Sequence, residues 1–175
     1  MKIKKWELDR RKDELRFRYK EDLSYLVEEI NDLEQILPVE VIGVAYQTGG
    51  DTYTVKGQIS TTVLLRCSKC LQTFDCAIES DFLDIFIPEE IESQESQTDE
   101  NIHLLTSDEI DISSIVEELF LLQLPYVPLC SKDCKGLCPV CGTNLNEKQC
   151  DCDTSRVDPR LADLAKWFDQ KEDTK

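Results

Sequence analysis

Apolar and cationic side chains alternate over residues 15–20, placing Leu15, Phe17 and Tyr19 on one face of an extended segment and Arg16, Arg18 and Lys20 on the other. That two-residue period predicts a half-buried strand. Leu23, Leu26, Val27, Ile30 and Leu33 then recur at helical spacing, which predicts an amphipathic helix that ends before Pro38 and leans on the sheet that follows. From residue 39 to 87 the chain is rich in Val, Ile, Thr, Tyr and Phe, and Gly49-Gly50-Asp51 separates the runs VEVIGVAYQ and TYTVKGQISTTVLLR. Two β-like runs around a glycine-rich turn read as a hairpin. A third run, TFDCAIESDFLDIF, follows Cys67-Ser-Lys-Cys70, so this cysteine pair stands where a second hairpin turns. An antiparallel meander of three or more strands is expected.

Residues 88–101 are acidic, rich in Ser and Gln and nearly devoid of apolar side chains, a composition that cannot offset the entropy of ordering it and predicts an exposed mobile loop. A second helix is expected from Asp111 or Ser113 as N-cap to Pro125, with Ile112, Ile115, Val116, Leu119, Phe120 and Leu122 in a broad stripe facing the sheet. A terminal helix is predicted to open at Asp158-Pro159 and to bury Leu161, Leu164, Ala165 and Phe168.

Six cysteines crowd the segment Cys130-SKD-Cys134-KGL-Cys138-PV-Cys141-GTNLNEKQ-Cys150-D-Cys152. Thiolates packed so closely repel one another unless a cation or disulfides hold them. Cys138-Pro-Val-Cys141-Gly142 has the spacing of a zinc knuckle: two intervening residues let both sulfurs reach one tetrahedral ion from a single tight turn, and glycine suits the position that follows. Structural zinc takes four ligands, so Cys138 and Cys141 need a second pair. Cys150 and Cys152 supply one choice, Cys130 and Cys134 another, and spacing alone does not choose. About one zinc ion per chain is the expectation.

The nine cysteines include Cys67, Cys70 and Cys76. Strands are predicted on both sides of Cys67-Ser-Lys-Cys70, whereas a thioredoxin-like pair sits at a helix N-terminus, so redox catalysis is disfavoured. The pair contributes to a second metal site with spare C-terminal cysteines, or shapes a hairpin turn, or touches a partner beside the cations Arg66 and Lys69. Cys76 reads as a half-buried strand residue. His103, the single histidine, has no partner indicated by any motif and reads as a satisfied or solvent-facing side chain. No phosphate loop, nucleophile elbow or His-Glu metal motif occurs, so no enzyme is expected.

The charge is uneven. Lys and Arg number 20 against 36 Asp and Glu, a formal charge of −16, yet residues 1–20 hold nine Lys/Arg and four Asp/Glu. An acidic chain with a basic N-terminal arm results, in which Arg10, Arg11, Lys12, Arg16 and Arg18 are candidates for RNA or partner contact. The N-terminal residues lack the apolar core of a secretory signal, and no run approaches the roughly 18 apolar residues needed to span a bilayer. A reducing cytoplasm is expected, where cysteines favour metal over disulfides.

Taken together the patterns predict an α+β fold: an antiparallel β-meander or barrel-like sheet with packed helices over residues 1–128, and a small C-terminal zinc-binding module with the terminal helix over residues 129–175.

Ordered blocks of the chain resemble a known family. Lys56-Gly57-Gln-Ile-Ser-Thr-Thr-Val-Leu-Leu-Arg66-Cys67-Ser-Lys-Cys70-Leu-Gln-Thr-Phe74, then Asp111-Ile-Ser-Ser-Ile-Val-Glu117-Glu118 and Leu124-Pro125-Tyr-Val-Pro128, look like the YceD family, the large ribosomal RNA subunit accumulation proteins of bacteria and plastids. Cys-Lys-Gly-Leu-Cys-Pro-Val-Cys-Gly with the later Asp158-Pro159-Arg160 is similar to the Gram-positive form. The resemblance implies a non-enzymatic role in 23S rRNA accumulation, ribosome assembly or rRNA stability, with no catalytic residue to carry over. It implies 23S rRNA or a large-subunit precursor particle as partner, and no membrane or small-molecule substrate. Some members lack the C-terminal cysteines, which implies that zinc stabilises this branch. The alternative from the residues themselves is an acidic adaptor that engages a basic ribosomal protein without touching RNA.

Overall fold

The computed structural model describes residues 1–10, 13–88 and 101–153. The acidic loop (all but its end residues 88 and 101) and the terminal helix expected after residue 157 lie outside the described residues, as do Arg11 and Lys12. By internal contacts the chain divides into two compact units: Met1–Ser68 with Gln72–Cys130, and Lys69–Leu71 with the residues from Ser131 onward.

The first unit is built on β2 (Leu15–Glu21), β4 (Val39–Gly49), β5 (Thr52–Arg66), β6 (Thr73–Pro88) and β7 (Ile102–Leu105), paired in that order. β3 (Leu33–Ile36) pairs with β5 off this path. The period-2 runs do become strands, and Gly50 with φ 55 turns β4 into β5. The sheet is an open path, not a closed barrel, and its last pairing, β6 with β7, is parallel rather than antiparallel. These two features correct the expected barrel-like meander: mostly sheet, with few helices.

Inward positions alternate along each strand. Val39, Val41 and Ala45 of β4, Tyr53, Val55, Ile59 and Val63 of β5, and Ile78, Phe82 and Phe86 of β6 are buried, each worth up to about 1.5–3 kcal/mol on removal from water for the larger ones. α2 (Ser113–Gln123) closes this face with Ile115, Val116 and Phe120. Its N-cap is Ile112 rather than the expected Asp111 or Ser113, but Asp111 still braces the start, its Oδ1 accepting from the Ser113 backbone N–H at 3.0 Å.

Two glycines sit opposite each other in the central strands, in the register row Phe17, Gly43, Gly57, Phe82. A Cβ on Gly43 would lie 2.6 Å from the Lys56 carbonyl oxygen and 2.6 Å from the Phe17 ring, and one on Gly57 2.5 Å from the Ile42 carbonyl oxygen and 2.9 Å from the Phe82 ring. The two rings occupy the room that side chains would take.

Two expectations fail at the N-terminal side. The helical stripe from Leu23 to Leu33 forms only a 3-10 helix, Ser24–Glu28, and then β3. β5 runs for 15 residues, but β4 pairs with it only as far as Ser60. β3 supplies the missing ladder partners for Val63, Leu64 and Leu65, and a ladder of backbone hydrogen bonds outweighs a local helical preference. The basic arm is likewise no free arm. β1 (Lys2–Lys4) pairs with β8 (Glu109–Asp111), α1 (Lys5–Asp9) follows, and Ile3 and Leu8 enter the core.

Candidate metal centres

Eight of the nine cysteines gather into two groups of four. The sulfurs of Cys67, Cys70, Cys130 and Cys134 all lie within 4.8 Å of one another, and so do those of Cys138, Cys141, Cys150 and Cys152. Tetrahedral zinc with bonds of about 2.3 Å sets its sulfurs about 3.8 Å apart, so both donor sets are compact enough to hold a metal ion. Beside the expected site, the structure thus offers a second donor set, in which the Cys67–Cys70 pair meets two of the C-terminal cysteines. The C-terminal six cysteines do not compete for one site, because Cys130 and Cys134 join the pair from the β5–β6 turn.

The two C-x2-C turns share one local geometry. The Cys67 backbone N–H donates to the Gln72 carbonyl at 2.9 Å, and the Cys138 N–H donates to the Thr143 carbonyl at 2.8 Å, five residues on in both cases. The residue after the second cysteine is left-handed in each: Leu71 at φ 60 and Gly142 at φ 72. Leucine rarely adopts this conformation. Its presence at Leu71, in the conformation that glycine adopts freely in the other knuckle, marks a turn shaped to point two sulfurs the same way.

Around the first group, Cys67, Cys70 and Cys134 are buried and Cys130 is exposed. The Ser68 N–H donates to the Pro128 carbonyl at 2.9 Å, which fixes the approach to Cys130. The Leu137 N–H donates to the Lys69 carbonyl at 3.1 Å, and Lys69 Nζ donates to the Cys134 carbonyl at 3.3 Å. Gly136, at φ 76, leaves a side chain strained and tightly placed, since a Cβ would stand 3.0 Å from the Lys69 oxygen. Asn146 Nδ2 donates to Cys134 Sγ at 3.3 Å, a contact that offsets thiolate charge and orients the ligand. Sequence reasoning did not find Asn146; a lone asparagine in a polar loop carries no signal.

In the second group Cys138 is buried, Cys141 exposed, and Cys150 and Cys152 half-buried. Cys141 Sγ lies 3.1 Å from Thr143 Oγ1. That hydroxyl contact, helped by the Thr143 backbone and by the Cys138 and Cys152 thiols, lowers the Cys141 thiol to about 6. Its hydrogen bond to Cys141, then burial, pushes Cys152 up to about 12. A metal-free group thus already holds one thiolate, and the protons of its neighbours leave when a cation arrives.

The other predicted residues are scattered. Arg10 lies over the Trp6 ring at 5.4 Å, and Arg16 and Arg18 stand on the outward face of β2. Arg66 pairs with Glu34 at 3.4 Å and Asp32 at 4.0 Å. Cys76 is half-buried, as expected. His103 has the acidic partner that no motif announced: its Nε2 lies 2.7 Å from Asp84 Oδ1, and its ring stacks on Phe86 at 5.1 Å. Asp84 is buried in β6, so the pair satisfies a carboxylate that would otherwise be stranded.

The fold and these groups define a small metal-capable sheet protein with two cysteine knuckles. Its chain belongs to the YceD family, described as large ribosomal RNA subunit accumulation protein, whose family model matches residues 55–167 and so takes in all eight grouped cysteines. It is 31% identical over 158 residues to the protein YlbN of Bacillus subtilis, covering 87% of each chain. It is 25% identical over 120 residues to the protein Rv2926c of Mycobacterium tuberculosis, covering 69% of this chain and 58% of that one. It is 39% identical over 67 residues to the chloroplast protein of Arabidopsis thaliana named large ribosomal RNA subunit accumulation protein YCED homolog 1, covering 37% of this chain and 21% of that one. The match thus spans little more than half the length of the mycobacterial relatives. No solved structure matches the chain. Among the described residues no helix is long and apolar enough to cross a membrane.

Proposed function

We propose that this chain is a non-enzymatic cytoplasmic factor that supports accumulation of large-subunit (23S) rRNA, through assembly or stability of the large-subunit precursor, and that its two cysteine groups hold structural zinc. The single observation that carries the reading is the family match across residues 55–167. Zinc is the metal that four thiolates gathered within 4.8 Å of one another suit best in a structural site, and it supplies folding energy without redox chemistry. The cations Arg10, Arg11, Lys12, Arg16, Arg18, Arg66 and Lys69 are the proposed points of RNA or partner contact.

The direct test removes the gene from a cell that carries it and measures the ratio of 23S to 16S rRNA. A fall restored by the intact gene is expected; an unchanged ratio defeats the reading. The formal charge of −16 favours one second reading, an adaptor that holds a basic ribosomal protein. Reversing acidic surface charges would then release the protein from precursor particles, while neutralising Arg16 and Arg18 would not.

A further inference from the structure

The outward face of an antiparallel sheet is ordinarily polar. Here Ile42 of β4 and Leu83 of β6 stand 46% and 52% exposed in its middle. They line a groove of about 730 Å³ together with Arg16, Arg18, Val44 and Lys56, backed by the row that contains the paired glycines. Register places the walls: Arg16, Val44, Lys56 and Leu83 form one row across four strands, and Arg18 and Ile42 begin the next.

The lining holds three cations and no carboxylate, on a chain whose formal charge is −16. Arg16 has no carboxylate partner among the described residues. Arg18 is held by Glu40 at 2.5 Å, outside the groove, and Lys56 reaches Glu14 only at 3.8 Å while lying 5.3 Å from the centre of the Tyr46 ring. An apolar floor between fixed cations matches a ligand that is both polyanionic and flat-faced. The cations meet phosphates, and the open aliphatic surface takes the faces of unpaired bases. A basic protein segment is repelled by the same cations, and so is the same face of a second copy.

We infer that this groove is a binding site for single-stranded RNA, an inference that rests on the proposed role in rRNA accumulation and names the surface that would carry it. A duplex is excluded as the main ligand because its bases are stacked within the helix and cannot lie on the floor. Three phosphate contacts give a salt slope of about −2, so binding weakens about 20-fold between about 50 and 200 mM salt.

The test uses the full chain as purified and a fluorescently labelled ten-nucleotide single-stranded RNA of mixed sequence, with the same RNA as a duplex for comparison. Binding of the single strand, and a loss of at least about tenfold with a shallower salt slope in the combined variant Arg16→Gln, Arg18→Gln, Lys56→Gln, supports the site. Ile42→Ser changes the floor alone, without adding charge, and is expected to weaken binding by about fivefold, the lower end of what stacking a base on a side chain is worth. Both variants lie on an exposed face, and an unchanged melting temperature shows that they remain folded. Equal binding by wild type and both variants overturns the inference, as does binding of neither RNA or preference for the duplex. A photo-crosslinker at Leu83 that captures a protein but no RNA in cells overturns it as well. Loss of 23S rRNA on gene deletion without RNA binding here defeats this inference alone, whereas RNA binding here with 23S rRNA unchanged on deletion defeats the functional reading.

Discussion

Cys67-Ser-Lys-Cys70 closes a hairpin whose ladder runs unbroken from Tyr53↔Phe86 to Arg66↔Thr73, whereas Cys138-Pro-Val-Cys141 closes a loop pinned by one isolated bridge, Leu137↔Asn144. The backbone turns are nearly the same, and the surroundings are opposite. Strands β5 and β6 hold the first turn whether or not an ion is present. Beyond Ser131 the buried residues among those described are Cys134, Gly136 and Cys138, too little apolar surface to offset the entropy of ordering that segment. The same sulfur chemistry would therefore have two tasks: an ion at the first knuckle would add to a fold that exists, and one at the second would substitute for a core.

The largest effect expected from that contrast follows metal removal. Chelation, or Cys138→Ser, should abolish amide protection in residues 134–152 while leaving the strands protected, because structural zinc contributes about 10–16 kcal/mol of apparent binding energy that the module cannot replace. Elemental analysis should give two zinc ions per chain and one in Cys138→Ser. A module that keeps its protection without metal or disulfides would erase the distinction.

The converse break comes next in size. Phe120→Ala removes a fully buried ring of α2 and should cost about 3–5 kcal/mol in unfolding of the sheet unit. Zinc retained at the second group by the unfolded sheet mutant, measured by chelator competition, is the expected companion result.

Exchanging the residues after the knuckles sharpens the contrast further. Gly142→Ala places a Cβ at φ 72 and should cost roughly 1–2 kcal/mol, read as weaker zinc binding. Leu71→Gly relieves the same backbone at φ 60, and its gain should be under about 1 kcal/mol, because glycine also loosens the unfolded chain. Opposite signs at the two positions are expected; the same sign would mean that the turns are not equivalent.

The smallest effect is one of reactivity. In the folded module, probed in the moments after chelator is added and before its structure is lost, Cys141 sits at about 6 and is a thiolate at neutral pH, while Cys152 at about 12 stays protonated. Iodoacetamide at pH 7 should label Cys141 first, and that labelling should slow as the pH falls below about 6, where the thiolate gains its proton. Cys67 and Cys70, both buried, should react last. Mass spectrometry of the labelled peptides decides the order.

Alternation, glycine placement and cysteine spacing made β2, β4, β5, β6 and the two knuckles legible before any coordinates, because each of these is a local rule: side chains two apart share a strand face, and sulfurs three apart share a turn. Which half-sites join was not legible. Cys70 and Cys130 are far apart in sequence, and only the folded path of the chain brings their sulfurs within 4.8 Å. The same holds for residues 33–36, whose helical periodicity lost to the free edge of β5, and for His103, whose acidic partner arrives from a neighbouring strand. By itself the sequence determined the elements that neighbouring residues can settle. The tertiary structure alone decided the partners, since a ladder, a metal site or a hydrogen bond to a buried carboxyl draws its energy from groups that meet only after the chain has folded.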